Sequence, residues 1–142
     1  MLDRTLQCRV VASSRDHGDP AAVSVDVTPR AIALRPLAPA DVWGRRRGDG
    51  VHIGWVRRTR RDGDSWSPGD IPLGEDSEAY LVEVLSGATV LRTIPAAARE
   101  VLYASVDELA DFGAPQPSLA VRVTQISATV GRGVATEATL RL

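Results

Sequence analysis

One cysteine, two histidines and no lysine occur in 142 residues. Cys8 alone cannot close an intrachain disulfide or build a cysteine zinc site. His17 and His52 have no cysteine beside them, so neither a metal centre nor a histidine-based triad is expected. No apolar run approaches the ~18 residues that cross a bilayer. The opening Met1-Leu2-Asp3-Arg4 lacks the apolar core of a secretory signal. The expectation is a chain made in the cytoplasm, with no signal peptide and no membrane insertion. The 17 basic residues are all arginine and face 18 acids, and the formal net charge of −1 argues against a general nucleic-acid binder at whole-chain level. Arginine without lysine, with abundant Ala and Val, fits the codon bias of a GC-rich genome. Long 3.6-residue periodicity is missing too. The one helical turn, residues 106–112 (VDELADF), is too short to organise a fold.

What is present is ordinary globular material, 44% hydrophobic and 25% charged, enough for one domain with a core that needs no metal or disulfide. Glycine and proline cut it into short β-type runs. Residues 6–13 and 21–28 flank His17-Gly18-Asp19-Pro20, a turn sequence, and read as a hairpin. A lone hairpin is marginal in water, so residues 1–30 should lean on something else. Pro29, Pro36 and Pro39 stiffen the next stretch, which suits a linker, drawn over residues 31–38, or an irregular first strand. From residue 39 to 142 the runs alternate: Val51, Ile53 and Trp55; Tyr80, Val82 and Val84; Leu119, Val121 and Val123; and a last strand ending at Leu142. About seven antiparallel strands over roughly 100 residues predict an all-β, immunoglobulin-like sandwich.

Several groups carry both a chemical and a plain reading. Arg45, Arg46, Arg47, Arg57, Arg58, Arg60 and Arg61 could grip an anionic polymer through their guanidinium forks. They could equally be solvated strand ends interleaved with Asp49, Asp62, Asp64, Glu75 and Asp76. Asp62-Gly63-Asp64-Ser65 hints at a calcium loop but lacks the EF-hand Gly and Glu, so an Asp-Gly turn is expected. Trp66 and Trp43 are stacking platforms or packing residues, Trp43 the more inclined to pack. Asp107, Glu108 and Asp111 could supply a glycosidase carboxylate pair, but the expectation is that Asp107 and Asp111, one helical turn apart, solvate a short surface segment. Gly131-Arg132-Gly133 reads as a hairpin turn. Strict alternation buries Gln125, whereas a bulge would turn Ile126 inward. No nucleophile–base pair, metal constellation or cofactor loop is apparent, so the chain is read as a non-enzyme without metal or cofactor.

The order of a proline-led first strand, V-H-I-G-W, A-Y-L-V-E-V, and L-A-V-R-V-T-Q-I-S resembles a fibronectin type III domain over about residues 39–142. Trp55 matches that family's second-strand core tryptophan and Tyr80 its third-strand tyrosine, while Leu119 stands where its corner tyrosine usually lies. More narrowly, W-V-R-R-T-R-R-D-G-D-S-W, P-L-G-E-D-S-E-A-Y, D-F-G-A and V-T-Q-I-S-A-T-V-G-R-G resemble the C-terminus of the large baseplate, or host-specificity, tail-tip protein of alphaproteobacterial gene transfer agents and related prophages. The 6–28 hairpin is similar to the segment preceding that terminal domain. Members are many times longer and many carry a glycosidase-like barrel upstream, whose carboxylates have no matching positions here. The resemblance implies a terminal piece or remnant acting as a non-catalytic structural or adhesion module of a virion-like tail. Its implied partners are other tail-tip and baseplate proteins and host cell-surface polysaccharide, with Trp66, Arg57, Arg58, Arg60, Arg61 and Trp43 as the contact surface. A carbohydrate-binding accessory module of a glycoside hydrolase-containing tail protein is the alternative.

Overall fold

The two halves of the N-terminal apolar pattern pair with each other. In a computed structural model, which describes residues 4–61 and 72–142, β1 (Leu6–Val10) and β2 (Val23–Val27) run antiparallel with Leu6 opposite Val27 and Val10 opposite Val23. The strands stop short of the 6–13 and 21–28 runs because two aspartates take over the backbone between them. Asp16 accepts from the Gly18 N–H at 2.8 Å, and Asp19 accepts from the Ala21 N–H at 2.7 Å, the side-chain turns that Asp favours. A 3-10 turn, Ile32–Leu34, ends this unit, which spans Met1–Leu34.

The second unit, Arg35–Leu142, is the sandwich. One sheet has the order β3-β4-β7 and the other β6-β5-β8-β9, all neighbours antiparallel. The strands are β3 (Ala40–Arg47), β4 (Gly50–Val56), β5 (Tyr80–Ser86), β6 (Thr89–Ala96), β7 (Glu100–Ala104), β8 (Ser118–Ser127) and β9 (Gly131–Arg141). An eight-residue helix, α1 (Ser105–Phe112), links β7 to β8. Three strands facing four, with this connection order, make an immunoglobulin-like, fibronectin type III-like β-sandwich.

Period-two alternation puts one face of each sheet inward. Val51, Ile53 and Trp55 from β4, Tyr80, Val82 and Val84 from β5, and Leu119, Val121 and Val123 from β8 are all buried, joined by Tyr103 and Leu140. Trp55 and Tyr80 meet edge to face across the two sheets, centroids 4.9 Å apart at 67°, the geometry that aromatic quadrupoles favour. Each such side chain contributes about 1.5–3 kcal/mol by burial.

Two sequence expectations need correction. Residues 31–38 are not all linker. Pro36 is buried, its carbonyl accepts from the Val134 N–H at 3.0 Å, and the Pro39 carbonyl accepts from the Thr136 hydroxyl. Residues 35–39 therefore belong to the sandwich, as a prolyl edge against β9. Gly131-Arg132-Gly133 is also not the hairpin turn. The turn lies at 128–130, where the Ser127 hydroxyl accepts from the Thr129 and Val130 N–H groups, and Gly131 already begins β9. Gly133 is needed for close approach: a Cβ there would lie 2.8 Å from the Pro36 carbonyl oxygen and 2.9 Å from that of Gln125. At Gln125 both sequence readings hold a part. The β8–β9 register shifts between Thr124 and Ile126, yet Gln125 is the buried residue and Ile126 is half-buried.

Candidate recognition face

With Val51, Ile53 and Trp55 pointing into the core, the alternate residues of the β3-β4-β7 sheet face outward. Register places Trp43, Gly54 and Glu100 in one row across the three strands, and Arg45, His52 and Leu102 in the next. The Trp43 indole lies flat on Gly54. A Cβ at Gly54 would sit 2.1 Å from Trp43 Cζ2 and 2.4 Å from Cε2, inside the ring's own volume. Only glycine leaves that slot, and an aromatic laid over a strand glycine restores the cover that the missing side chain would give. The Arg45 guanidinium stands 5.1 Å from the indole centroid, within cation–π range. It lies over the ring, so the indole has Gly54 beneath it and the exposed Arg45 above it.

His52 is fixed from both sides. Its Nδ1 is 2.9 Å from Glu100 Oε1, and its Nε2 is 3.1 Å from each Asp49 oxygen. Two carboxylates against two ring nitrogens favour the imidazolium, which donates from both. The Glu100 bond is the larger cause and Asp49 the second, and together they raise the His52 pKa above its ordinary 6.5 despite some desolvation.

Arg47 follows Arg45 on the same face of β3, close enough to Asp49 and His52 to act on both, and the remaining arginines of the sequence reading lie elsewhere. Arg46 turns inward to α1. Arg57, Arg58, Arg60 and Arg61 follow the end of β4, where Arg60 donates to Glu75 at 2.6 Å and Arg58 and Arg61 are exposed. Trp66 and the Asp62–Ser65 loop lie outside the described residues. His17 sits in the exposed loop between β1 and β2.

The helix acids correct the expectation that they solvate a surface turn. Glu108 is 1% exposed, taking Arg46 through both oxygens at 2.7 and 2.9 Å and accepting from the Gln116 N–H at 2.8 Å. Asp111 takes Arg92 at 2.7 and 2.9 Å and the Tyr103 hydroxyl at 2.9 Å, while Asp107 lies 3.1 Å from Arg92. The helix is thus turned over: its acids anchor it to β3, β6 and β7, while Val106 and Leu109 are 71% and 56% exposed. The Arg46 guanidinium holds Glu108 below the usual carboxylate range against its desolvation, and Arg92 does the same for Asp111. A glycosidase acid needs the opposite shift. Burial, with Asp111 second, raises the Tyr103 phenol.

Among the described residues no group of three His, Cys, Asp or Glu side chains is placed to hold a metal ion, and no helix is long and apolar enough to cross a membrane. A shallow depression of about 200 Å³ lies beside Leu85, Ala120, Ala138 and Thr139. Its lining acid, Glu137, is tied to Arg122 at 2.8 Å, so acids do not converge there.

Sequence reasoning weighed Trp43 and Arg45 separately and did not connect them to Gly54, Asp49, His52 and Glu100. The available signal was the glycine in the middle of V-H-I-G-W, which no turn explains. What it lacked was the β3–β4–β7 register.

No family model and no curated protein matches the chain. Among solved structures it is similar to the rat CD45 extracellular region, domains d3–d4, with a TM-score of 0.52 and 11% identity over 99% of this chain. It spans 65% of that chain's length. A looser likeness, TM-score 0.48 and 16% identity, covers 84% of this chain and 33% of the Clostridium perfringens spore cortex lytic enzyme SleM. At such identity the CD45 likeness speaks to the fold, an all-β sandwich.

Proposed function

We propose that the chain is a non-catalytic assembly or adhesion module of a phage-like tail tip or baseplate, of the gene transfer agent type, and that the outer face of the β3-β4-β7 sheet is its contact surface. The motif resemblance supplies the setting. The observation that carries the surface is the Trp43 shelf on Gly54, bordered by Arg45, His52 and Glu100. Against catalysis stands the use of the acids: Glu108, Asp111, Glu83 and Glu75 are each bound to arginine, and for Glu108 and Asp111 this stabilises the charged form and removes the proton a general acid needs.

Co-sedimentation of the purified chain with alphaproteobacterial cells, and with their extracted envelope polysaccharide, tests this reading. Saturable binding weakened by Trp43→Ala supports adhesion. If a folded chain binds neither, pull-down with other tail-tip proteins tests assembly, and failure of both refutes the proposal. The second reading, a carbohydrate-binding accessory module in a hydrolase-containing tail protein, is favoured by the same flat indole, since sugars stack on aromatic faces through their C–H surfaces.

A further inference from the structure

We propose that the outer face of the β3-β4-β7 sheet binds a carboxylated pyranose, with the Trp43 indole as its stacking shelf and Arg45 as the partner of its carboxylate. This rests on the recognition-face reading above and names the class of ligand.

Three observations carry it. First, the shelf is built: Gly54 holds a mid-strand position where glycine costs stability, and its slot lets the indole lie parallel to the sheet. A flat ring lying along a sheet surface matches the flat face of a sugar ring better than it matches a protein side chain seeking a pocket. Second, the charges are unevenly used. Asp49 and Glu100 are engaged with His52, whereas Arg45 makes no ion pair among the described residues and lies over the Trp43 ring. An exposed guanidinium held only over a ring can turn off it to a planar carboxylate, which it binds through two parallel N–H···O bonds, and that turn opens the indole face to the sugar. Third, the neighbours offer acceptors in fixed positions. Glu100 meets the imidazole through Oε1 alone and keeps Oε2, and each carboxylate has lone pairs beyond those the ring uses; ring hydroxyls need such acceptors. Leu102 and Val56 are exposed on the same face, but Glu100 and His52 break Leu102 off from the Trp43 row. The face therefore alternates polar and apolar groups instead of presenting the continuous apolar patch of a protein interface.

The test is calorimetric titration of the whole chain with tetragalacturonate, a carboxylated probe, and with maltotetraose, a neutral one of equal length. Tetragalacturonate is expected to bind at least tenfold more tightly than maltotetraose, and less tightly as salt rises. Arg45→Gln is expected to lower tetragalacturonate affinity at least tenfold with no change in melting temperature, since Arg45 is exposed. Trp43→Leu is expected to abolish binding of both sugars. Its melting temperature is measured alongside, and Arg45→Gln keeps the test decisive where Trp43→Leu unfolds. Equal affinity for the two sugars, or tetragalacturonate binding unchanged in Arg45→Gln, overturns the proposal. A wild-type chain that sediments with envelope polysaccharide yet binds neither tetrasaccharide overturns the ligand class alone and leaves the recognition-face reading standing.

Discussion

On the outer face of the four-stranded sheet, Glu83 receives Arg122 at 3.3 Å and Arg132 at 3.1 Å, and Arg122 reaches on to Glu137 at 2.8 Å. On the outer face of the three-stranded sheet, Arg45 borders an indole instead of a carboxylate, and the acids close on a histidine. Both faces come from alternating strands over one core, so the fold does not impose the difference. Cross-strand register does. Glu83, Arg122 and Glu137 lie directly opposite one another in three adjacent strands, and their charges are satisfied inside the sheet. The Trp43–Gly54–Glu100 and Arg45–His52–Leu102 rows cannot neutralise themselves that way. One face is complete as it stands, and the other has groups left to offer.

Perturbing the core that both faces share should have the largest effect. Trp55→Ala removes the ring that meets Tyr80 across the sheets and should cost about 3–5 kcal/mol, read as a lowered urea midpoint. If Trp43→Ala costs as much, Trp43 is a core residue and the distinction between faces fails. Next is the helix anchor. Glu108→Ala leaves Arg46 without its carboxylate, with only the Gln116 carbonyl still accepting from it at 2.7 Å, at about 2–3 kcal/mol. Arg46 is partly exposed and can rehydrate, which keeps the loss below that of a fully buried pair.

Gly54→Ala strikes the recognition face itself. The added methyl forces the indole off its shelf, with an overpacking cost of about 1–3 kcal/mol, and should abolish polysaccharide binding by a chain that is still folded at room temperature. The matching change on the other face, Arg122→Ala, should lower stability only slightly, because Arg122 is partly solvated, and should leave binding intact.

How far the sequence carries is clearest at particular residues. Alternation alone identifies Val51, Ile53, Trp55, Tyr80, Val82 and Val84 as one interior, because a strand's inward face is a local property. Glu108 defeats the same logic. Read locally, VDELADF is an acidic surface turn. Its burial depends on Arg46, 62 residues away in sequence, and only the folded sandwich brings that guanidinium to it. Gly54 is intermediate. Its oddity is visible in the sequence, but the side chain that fills its slot is named only by the β3–β4 register. The prolines at 36 and 39 mislead in the same way, since losing a donor says nothing about their carbonyls, which are what β9 uses.

The effects of pH are the mildest and separate the helix anchor from the recognition face. Glu108 and Asp111 titrate below their unfolded values, so their contribution is complete above the ordinary carboxylate pKa and is lost as pH falls through the folded one. His52 titrates above its unfolded 6.5, so its contribution is complete below 6.5 and is lost as pH rises through the folded value. Thermal stability should therefore be greatest on the acid side of neutrality and above the carboxylate range. His52→Gln should remove the decline just above neutrality and leave the acid limb unchanged.

The most direct measurement is a ¹H–¹⁵N NMR titration of the chain with extracted envelope polysaccharide. Shifts confined to the Trp43 indole and to the amides of Arg45, His52, Gly54 and Glu100, with Glu83, Arg122 and Glu137 unmoved, are predicted. Shifts on the four-stranded sheet with the Trp43 face silent would contradict the account.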